Sequence, residues 1–169
     1  IPSIAKDGQP LVESSELNAF IQIREDGKIL IYSGSPEMGQ GIKTSLPMIV
    51  AEELGAKWSD VIVEQTPEVN TEKYGRQSTG GSYTLYRNWN LMREMGATAR
   101  EMLLGAGALI MEVPKSELEA VESRVQHMKS TRSFSFAELA SLAQKQPITN
   151  KDALEFKARE DDRILGPSK

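Results

Sequence analysis

The chain has 169 residues, a formal net charge of -4 and no cysteine. That length fits one domain, or one and a half, and buries roughly two-thirds of the surface of the unfolded chain. The mild acidity speaks against a nucleic-acid partner, which needs a basic face. No apolar run of about 18 residues is present to span a membrane. Without cysteine, this chain has no disulfide, thiolate metal site or cysteine nucleophile. The start, IPSIAKDGQP, lacks an initiator methionine and reads as processed or trimmed, which leaves a periplasmic or a cytoplasmic setting open.

Residues 1–17, with Pro2, Gly8 and Pro10, read as an irregular lead-in. Phe20, Ile21 and Ile23 mark one strand, and Ile29 to Tyr32 mark the next. Asp26-Gly27 between them is a hairpin signal, because both residues tolerate the positive φ of a tight turn. TSLPMIVAEELGAK, 44–57, has helical spacing at Leu46, Ile49, Val50, Glu53 and Leu54. Thr44 or Ser45 is the expected cap, Gly55 the stop, and Pro47 falls in the first turn. DVIVEQT, 60–66, is a β-branched strand, and 67–81 form a polar loop. A long helix is predicted from Tyr83 to Leu104. Its face carries Leu85, Trp89, Met92, Met95, Ala99 and Leu103, and Gly105 and Gly107 loosen its end. Residues 113–136 read as short strands, SELEAVE, RVQHMKS and RSFSF. Ser135 then caps a helix, FAELASLAQK, before Pro147. The charged tail holds one possible strand at Leu154 to Lys157. The fold class is α/β (α+β), with short mixed sheets and two main helices packed on them.

Two glycine stretches carry the chemistry. PEMGQGIKT, Pro36 to Thr44, stands between an apolar alternating run and an apolar helix. Backbone N–H groups near a positive helix end suit an anion such as a phosphate, and Gln40 adds an amide with both donors and an acceptor. The plainer reading is a strand-to-helix turn that needs positive φ at a glycine. STGGSYT, Ser78 to Thr84, repeats the pattern ahead of the second helix, with an ordinary Ser82 cap as its plainer reading. Two such helix starts can close on one polyanion from two sides. Neither stretch is a P-loop or a dinucleotide fingerprint.

Taken in order, these stretches resemble the molybdopterin-binding large subunit of the xanthine oxidase and aldehyde oxidase family, in its isoquinoline 1-oxidoreductase or nicotinate dehydrogenase branch. Four segments carry the likeness: NAFIQIREDGKILIYSGSPEMGQGIKTSLPMIVAEEL, TGGSYTLYRNWNLMREMGATAREMLL, VPKSELEAVESRVQHMKSTRSFSFAELASLA and LEFKAREDDRILGPSK. The resemblance implies a molybdenum-cofactor-binding fold in which both turns line a molybdenum–molybdopterin cofactor, in its cytosine dinucleotide form. Carried over by position, Met38, Gly39 and Gln40 contact it from the first turn, and Gly81, Ser82 and Thr84 from the second. It implies hydroxylation of N-heterocycles or oxidation of aldehydes with water as oxygen source. Electrons would leave through iron–sulfur clusters on a small partner subunit.

The same resemblance sets limits. The family's catalytic glutamate lies near the far C-terminus of a much longer subunit, so no catalytic or metal-ligating residue is assigned here. The chain reads as a leading fragment. Residues 18–112 would form the cofactor subdomain, 113–150 a strand-rich segment with a short helix, and 151–169 a charged tail toward a hammerhead-type domain. Such a fragment is expected to be inactive alone and prone to self-association through its apolar faces. Tyr83 and Tyr86 sit where smaller residues are expected and would crowd the cofactor. A non-catalytic module for partner binding or assembly, and a phosphate-binding domain without molybdenum, remain alternatives.

Other residues read as structural. His127, the only histidine, has no second histidine or cysteine to share a metal. Glu52 and Glu53 point about 100° apart on a helix and cannot flank one substrate; Glu53 falls on the packed face. Arg76 precedes the second turn and either reaches a phosphate or stays solvated. Met92, Met95 and Met102 read as core packing, and the run REDD as a solvated face.

Overall fold

The computed structural model describes residues 13–166. The first twelve residues of the predicted lead-in and the closing Pro-Ser-Lys lie outside them. Three short strands come first: β1 (Ser14–Asn18), β2 (Ile21–Arg24) and β3 (Ile29–Ser33). All of β1 but Asn18 falls inside the stretch expected to be irregular. Its only apolar in-facing residue is Leu17, so its alternation was too short to read. β2 and β3 pair antiparallel with Ile23 opposite Ile29 and Ile21 opposite Ile31. All four isoleucines are buried. The connecting turn forms as the sequence predicts: Gly27 has φ +85°, and Asp26 Oδ1 accepts the Lys28 N–H at 3.1 Å.

Helix α1 (Ile42–Leu54) leads from β3 to β4 (Val61–Gln65), which pairs with β3 in parallel. The sheet order is β1-β2-β3-β4. Helix α1 starts before its expected cap: Gly41 is the cap residue, at φ +80°. Ser45 lies inside the helix, its hydroxyl donating to the Gly41 carbonyl at 2.8 Å. Pro47 is therefore interior and not in the first turn, where it forfeits one helical hydrogen bond. The helix stops at Gly55, as expected, at φ +80° with its N–H on the Ala51 and Glu52 carbonyls. A β-carbon there would also lie 2.2 Å from the Ala120 carbonyl oxygen, so this glycine serves packing as well as capping.

The predicted polar loop contains one turn of helix, α2 (Thr71–Tyr74), capped by Asn70. Tyr74 is buried and stands edge-on to Phe20, ring centroids 5.6 Å apart. The second main helix, α3 (Thr84–Met111), runs past both glycines expected to loosen it. Gly107 is needed because a β-carbon would lie 2.8 Å from Val125 Cγ1. Gly96 marks the crossing with α1, since a β-carbon there would lie 2.5 Å from the Val50 carbonyl oxygen. Met92, Ala99, Met102 and Leu103 are buried, but Leu85 is exposed. The apolar stripe thus begins one turn later than its spacing suggests.

A second sheet, β5 (Leu118–Val121), β6 (Arg124–His127) and β7 (Ser133–Ser135), is antiparallel throughout. It leads into α4 (Phe136–Ala143), whose cap is Ser135, with Glu138 completing a capping box. One apolar core joins Ile23 and Ile31 of the first sheet, Leu46 and Val50 of α1, Leu103 of α3, Val125 of β6 and Leu139 of α4.

The possible strand at 154–157 is not formed, and among the described residues no strand pairs with it. Side chains hold its backbone instead. Glu53 accepts the Lys157 N–H at 3.0 Å, Arg93 donates to the Lys157 carbonyl at 2.8 Å, and Arg100 donates to the Glu155 carbonyl. Glu53 also pairs with Arg93 at 2.5 Å and Arg100 at 3.1 Å. Its neighbour Glu52 accepts the N–H groups of Arg163, Ile164 and Leu165. Both carboxylates are buried and hydrogen-bonded, Glu53 through both oxygens and Glu52 through Oε2, which is how a buried charge is tolerated. In the run REDD, Glu160 and Asp161 are exposed, whereas the Asp162 side chain is only 7% exposed.

Candidate functional site

The segments that lead to both glycine turns leave the same end of the first sheet. β3 and β4 are parallel neighbours with Ser33 opposite Gln65, so the segments that follow them emerge side by side. A crevice at the carboxyl ends of parallel strands is where α/β folds commonly hold ligands. Gln77 anchors the approach to the second turn: its amide donates to Thr66 Oγ1 at 2.6 Å and to the Glu68 carbonyl at 2.8 Å. Thr79 then donates to the Pro36 carbonyl at 2.7 Å, tying the second turn to the first. Thus the structure joins two stretches 43 residues apart. Arg76 is held within its own loop, its Nε donating to Ser78 Oγ at 2.6 Å.

The first turn is bent by positive φ at Gly39 (+92°) and Gly41 (+80°). Its amides are not bare. Glu37 Oε1 accepts from Gly39 at 2.7 Å and from Gly41 at 3.0 Å, and Oε2 accepts from Lys43 at 3.0 Å. The Lys43 and Gly41 amides, helped by Gly39 and Gln40, hold the Glu37 carboxyl below the ordinary glutamate range. Gln40 also folds inward: its Oε1 accepts the Met38 N–H at 2.6 Å and its Nε2 donates to the Pro36 carbonyl at 3.3 Å. The side chain of Met38 projects outward, leaving the residue 70% exposed.

The second turn differs. Gly81 and Ser82 are consecutive left-handed residues, φ +63° and +58°. Ser82 is exposed and does not cap α3; the cap position is Tyr83, which makes no side-chain capping bond. The helix therefore begins with no side chain on its first amides, leaving its positive end available to an anion. Thr84 is buried, and its carbonyl accepts from Asn88 Nδ2 at 2.9 Å. A shallow groove of about 590 Å³ runs from Ser82 along Leu85, Tyr86, Arg87, Trp89 and Asn90. Tyr83 is 56% and Tyr86 81% exposed, and the Arg87 guanidinium lies 5.4 Å from the Tyr83 ring.

The family model for the molybdopterin cofactor-binding domain matches residues 4–164. The chain belongs to that family. It is 36% identical over 168 residues to a nicotinate dehydrogenase subunit of Pseudomonas putida, covering 98% of this chain and 14% of that protein. It is 33% identical over 152 residues to the beta subunit of isoquinoline 1-oxidoreductase of Brevundimonas diminuta, covering 85% of this chain and 20% of that one. Quinoline 2-oxidoreductase from Pseudomonas putida 86 shares the fold with a TM-score of 0.57 and 18% identity, over 85% of this chain and 18% of that one. The chain spans a fifth or less of the length of these curated relatives. The mixed α/β fold expected from the resemblance is the one found.

The two turns fit such a cofactor unequally. The second offers uncapped amides, the exposed Ser82 hydroxyl and Arg87, whereas Thr84 is buried. At the first, Glu37 competes for the donors that a phosphate would use and the Gln40 amide is bonded to Met38 and Pro36, so this turn offers the exposed Met38 side and the second donor and acceptor positions of Gln40. Glu37 and Thr79 were missed by sequence reading. The acidic residue two places before Met-Gly-Gln-Gly's first glycine was the available sign, since carboxylates favour helix starts. Among the described residues, no group of three or more His, Asp or Glu side chains could hold a metal. Nor does any described helix have the length and apolarity to cross a membrane.

Proposed function

We propose that this chain forms one wall of a molybdenum–molybdopterin site, with Met38, Gly39, Gln40, Gly81, Ser82 and Thr84 as the residues that line it. The observation carrying this reading is the meeting of the two glycine turns at the ends of neighbouring parallel strands, tied by Thr79 to Pro36. In this reading the start of α3 binds the pyrophosphate through backbone amides and the Ser82 hydroxyl. The Gln40 amide meets the hydrogen-bonding edge of the pterin, and Met38 shields it from water. The dinucleotide is the cytosine form.

When bound, the cofactor supplies the redox centre for hydroxylation of an N-heterocycle or oxidation of an aldehyde, with water as the oxygen source. Electrons pass to iron–sulfur clusters on a small partner subunit. The general base and the rest of the pocket come from further domains of the same large subunit, the first being of the hammerhead type after 151–169. To that reaction this chain contributes binding and orientation, and no catalytic side chain.

Two observations favour a second reading, a partner-binding or assembly module that kept the fold. Glu37 already occupies the first turn's donors, and Tyr83 and Tyr86 stand exposed beside the second. One measurement separates the readings. Gln40→Ala with Ser82→Ala in the intact large subunit should lower its molybdenum and pterin content. Unchanged content would remove the assignment and favour the assembly role.

A further inference from the structure

Away from the glycine turns, one end of the second sheet carries a serine, a histidine and a glutamate in a single hydrogen-bonded chain. His127 closes β6 and is only 8% exposed. The turn after it is fixed by the Ser130 N–H donating to the His127 carbonyl at 3.2 Å, and Ser130 itself is exposed. The Ser130 hydroxyl lies 2.7 Å from His127 Nδ1. On the other side of the ring, Nε2 lies 3.0 Å from Glu117 Oε2. Lys129 Nζ donates to Glu117 Oε1 at 2.7 Å.

These contacts assign the hydrogen-bond roles. The bonds from His127 and Lys129 hold the Glu117 carboxyl below the ordinary glutamate range, so it is an ionised acceptor. In the neutral imidazole a carboxylate at Nε2 favours the proton there, and the Nδ1 lone pair then faces the Ser130 hydroxyl. Nucleophile, base and orienting carboxylate thus stand within hydrogen-bond reach, the arrangement that activates a hydroxyl. The Arg132 N–H lies 3.3 Å from the same Oγ and stabilises negative charge there. The turn is closed by backbone bonds, the Ser130 N–H on the His127 carbonyl and the His127 N–H on the Arg132 carbonyl at 3.0 Å, and does not need the Glu117 side chain. Glu117 comes from before β5, and what it adds is the tautomer.

We propose that Ser130 is an activated nucleophile that accepts acyl groups from small activated esters, with His127 as its base and Glu117 as a positioning residue. In the step, Oγ bonds to the ester carbonyl carbon while its proton moves to His127 Nδ1. The ester C–O bond then breaks, and the departing aryloxide takes that proton. The products are O-acyl-Ser130 and a phenol, with no oxidant or reductant required. An open turn without a deep cleft admits small acyl donors and selects little among them.

The test is 4-nitrophenyl acetate added to the full chain, following nitrophenolate release and mapping the acetyl group by peptide mass spectrometry. A burst of about one equivalent with the acetyl on Ser130 is the result expected of a covalent nucleophile. Ser130→Ala should abolish that burst, and His127→Gln should slow acylation on the order of 10²-fold, the contribution of a general base. Because His127 is buried, Glu117→Gln provides the second arm, keeping shape and losing charge. Slower Ser130 acylation in a Glu117→Gln chain with unchanged circular dichroism supports the relay. A burst that survives Ser130→Ala, acetyl confined to lysines, or wild-type acylation in folded Glu117→Gln would overturn it.

Discussion

The two glycine turns look alike in sequence and differ in what they do with their amides. The first folds onto its own carboxylate, with Glu37 accepting from Gly39, Gly41 and Lys43. Among the described residues the second has no such acceptor, and it leads into a helix without a side-chain cap. A glycine-rich helix start is therefore an anion site only if no nearby acidic side chain reaches it first. Glu37 stabilises the shape of the first turn at the cost of its free donors, whereas the second turn keeps its donors and carries strain at Ser82.

The change expected to disturb this contrast most is at neither turn. Gly96→Ala would put a β-carbon 2.5 Å from the Val50 carbonyl and 2.7 Å from Glu53 Cβ. The helices that carry the turns must then separate, at about 1–3 kcal/mol, read as a lower urea midpoint. Next are Gly41→Ala and Gly81→Ala, at φ +80° and +63°. Each should lose about 1–2 kcal/mol to left-handed strain alone. Equal losses would mean that the turns are equally rigid, and a smaller loss at Gly81 that the second turn relaxes.

Thr79→Val removes the bond between the turns while keeping side-chain volume. Its expected cost is about 1 kcal/mol or less, together with weaker cofactor retention in the intact large subunit. Retention at the wild-type level would mean that the turns bind independently. The gentlest test is a titration followed by NMR. Because the Glu37 carboxyl is held below its ordinary value, its contribution to the first turn is present at neutral pH and lost as pH falls through that lowered value. The Gly39, Gly41 and Lys43 amide resonances should shift together there, while those of Gly81 and Ser82 stay fixed. Independent movement would break the link to Glu37.

Much of the fold was legible because its signals are local. Asp26-Gly27 closes its hairpin, Gly55 ends α1, and Ser135 with Glu138 starts α4. The failures share a cause: the deciding partner was distant or irregular. The start of α1 was misplaced because the cap position is Gly41, and the carboxylate on its first amides, Glu37, reaches in from a loop. The end of α3 was misplaced because Gly107 answers to Val125 across the core, not to helix propensity. The tail strand failed because Arg93, Arg100 and Glu53 take the hydrogen bonds that a neighbouring strand would have made.

By itself the sequence determined the fold class and the family, since apolar periodicity, turn residues and ordered motifs are properties of neighbours along the chain. It also marked both glycine turns as special. Only the tertiary structure decided that the turns meet, through the parallel pairing of β3 with β4 and the Thr79 bond to Pro36. Only it decided which amides remain open, and that Ser130, His127 and Glu117 fall in one line. Hydrogen bonds depend on distance and angle in space, and a sequence gives neither for residues that a turn or a crossover brings together.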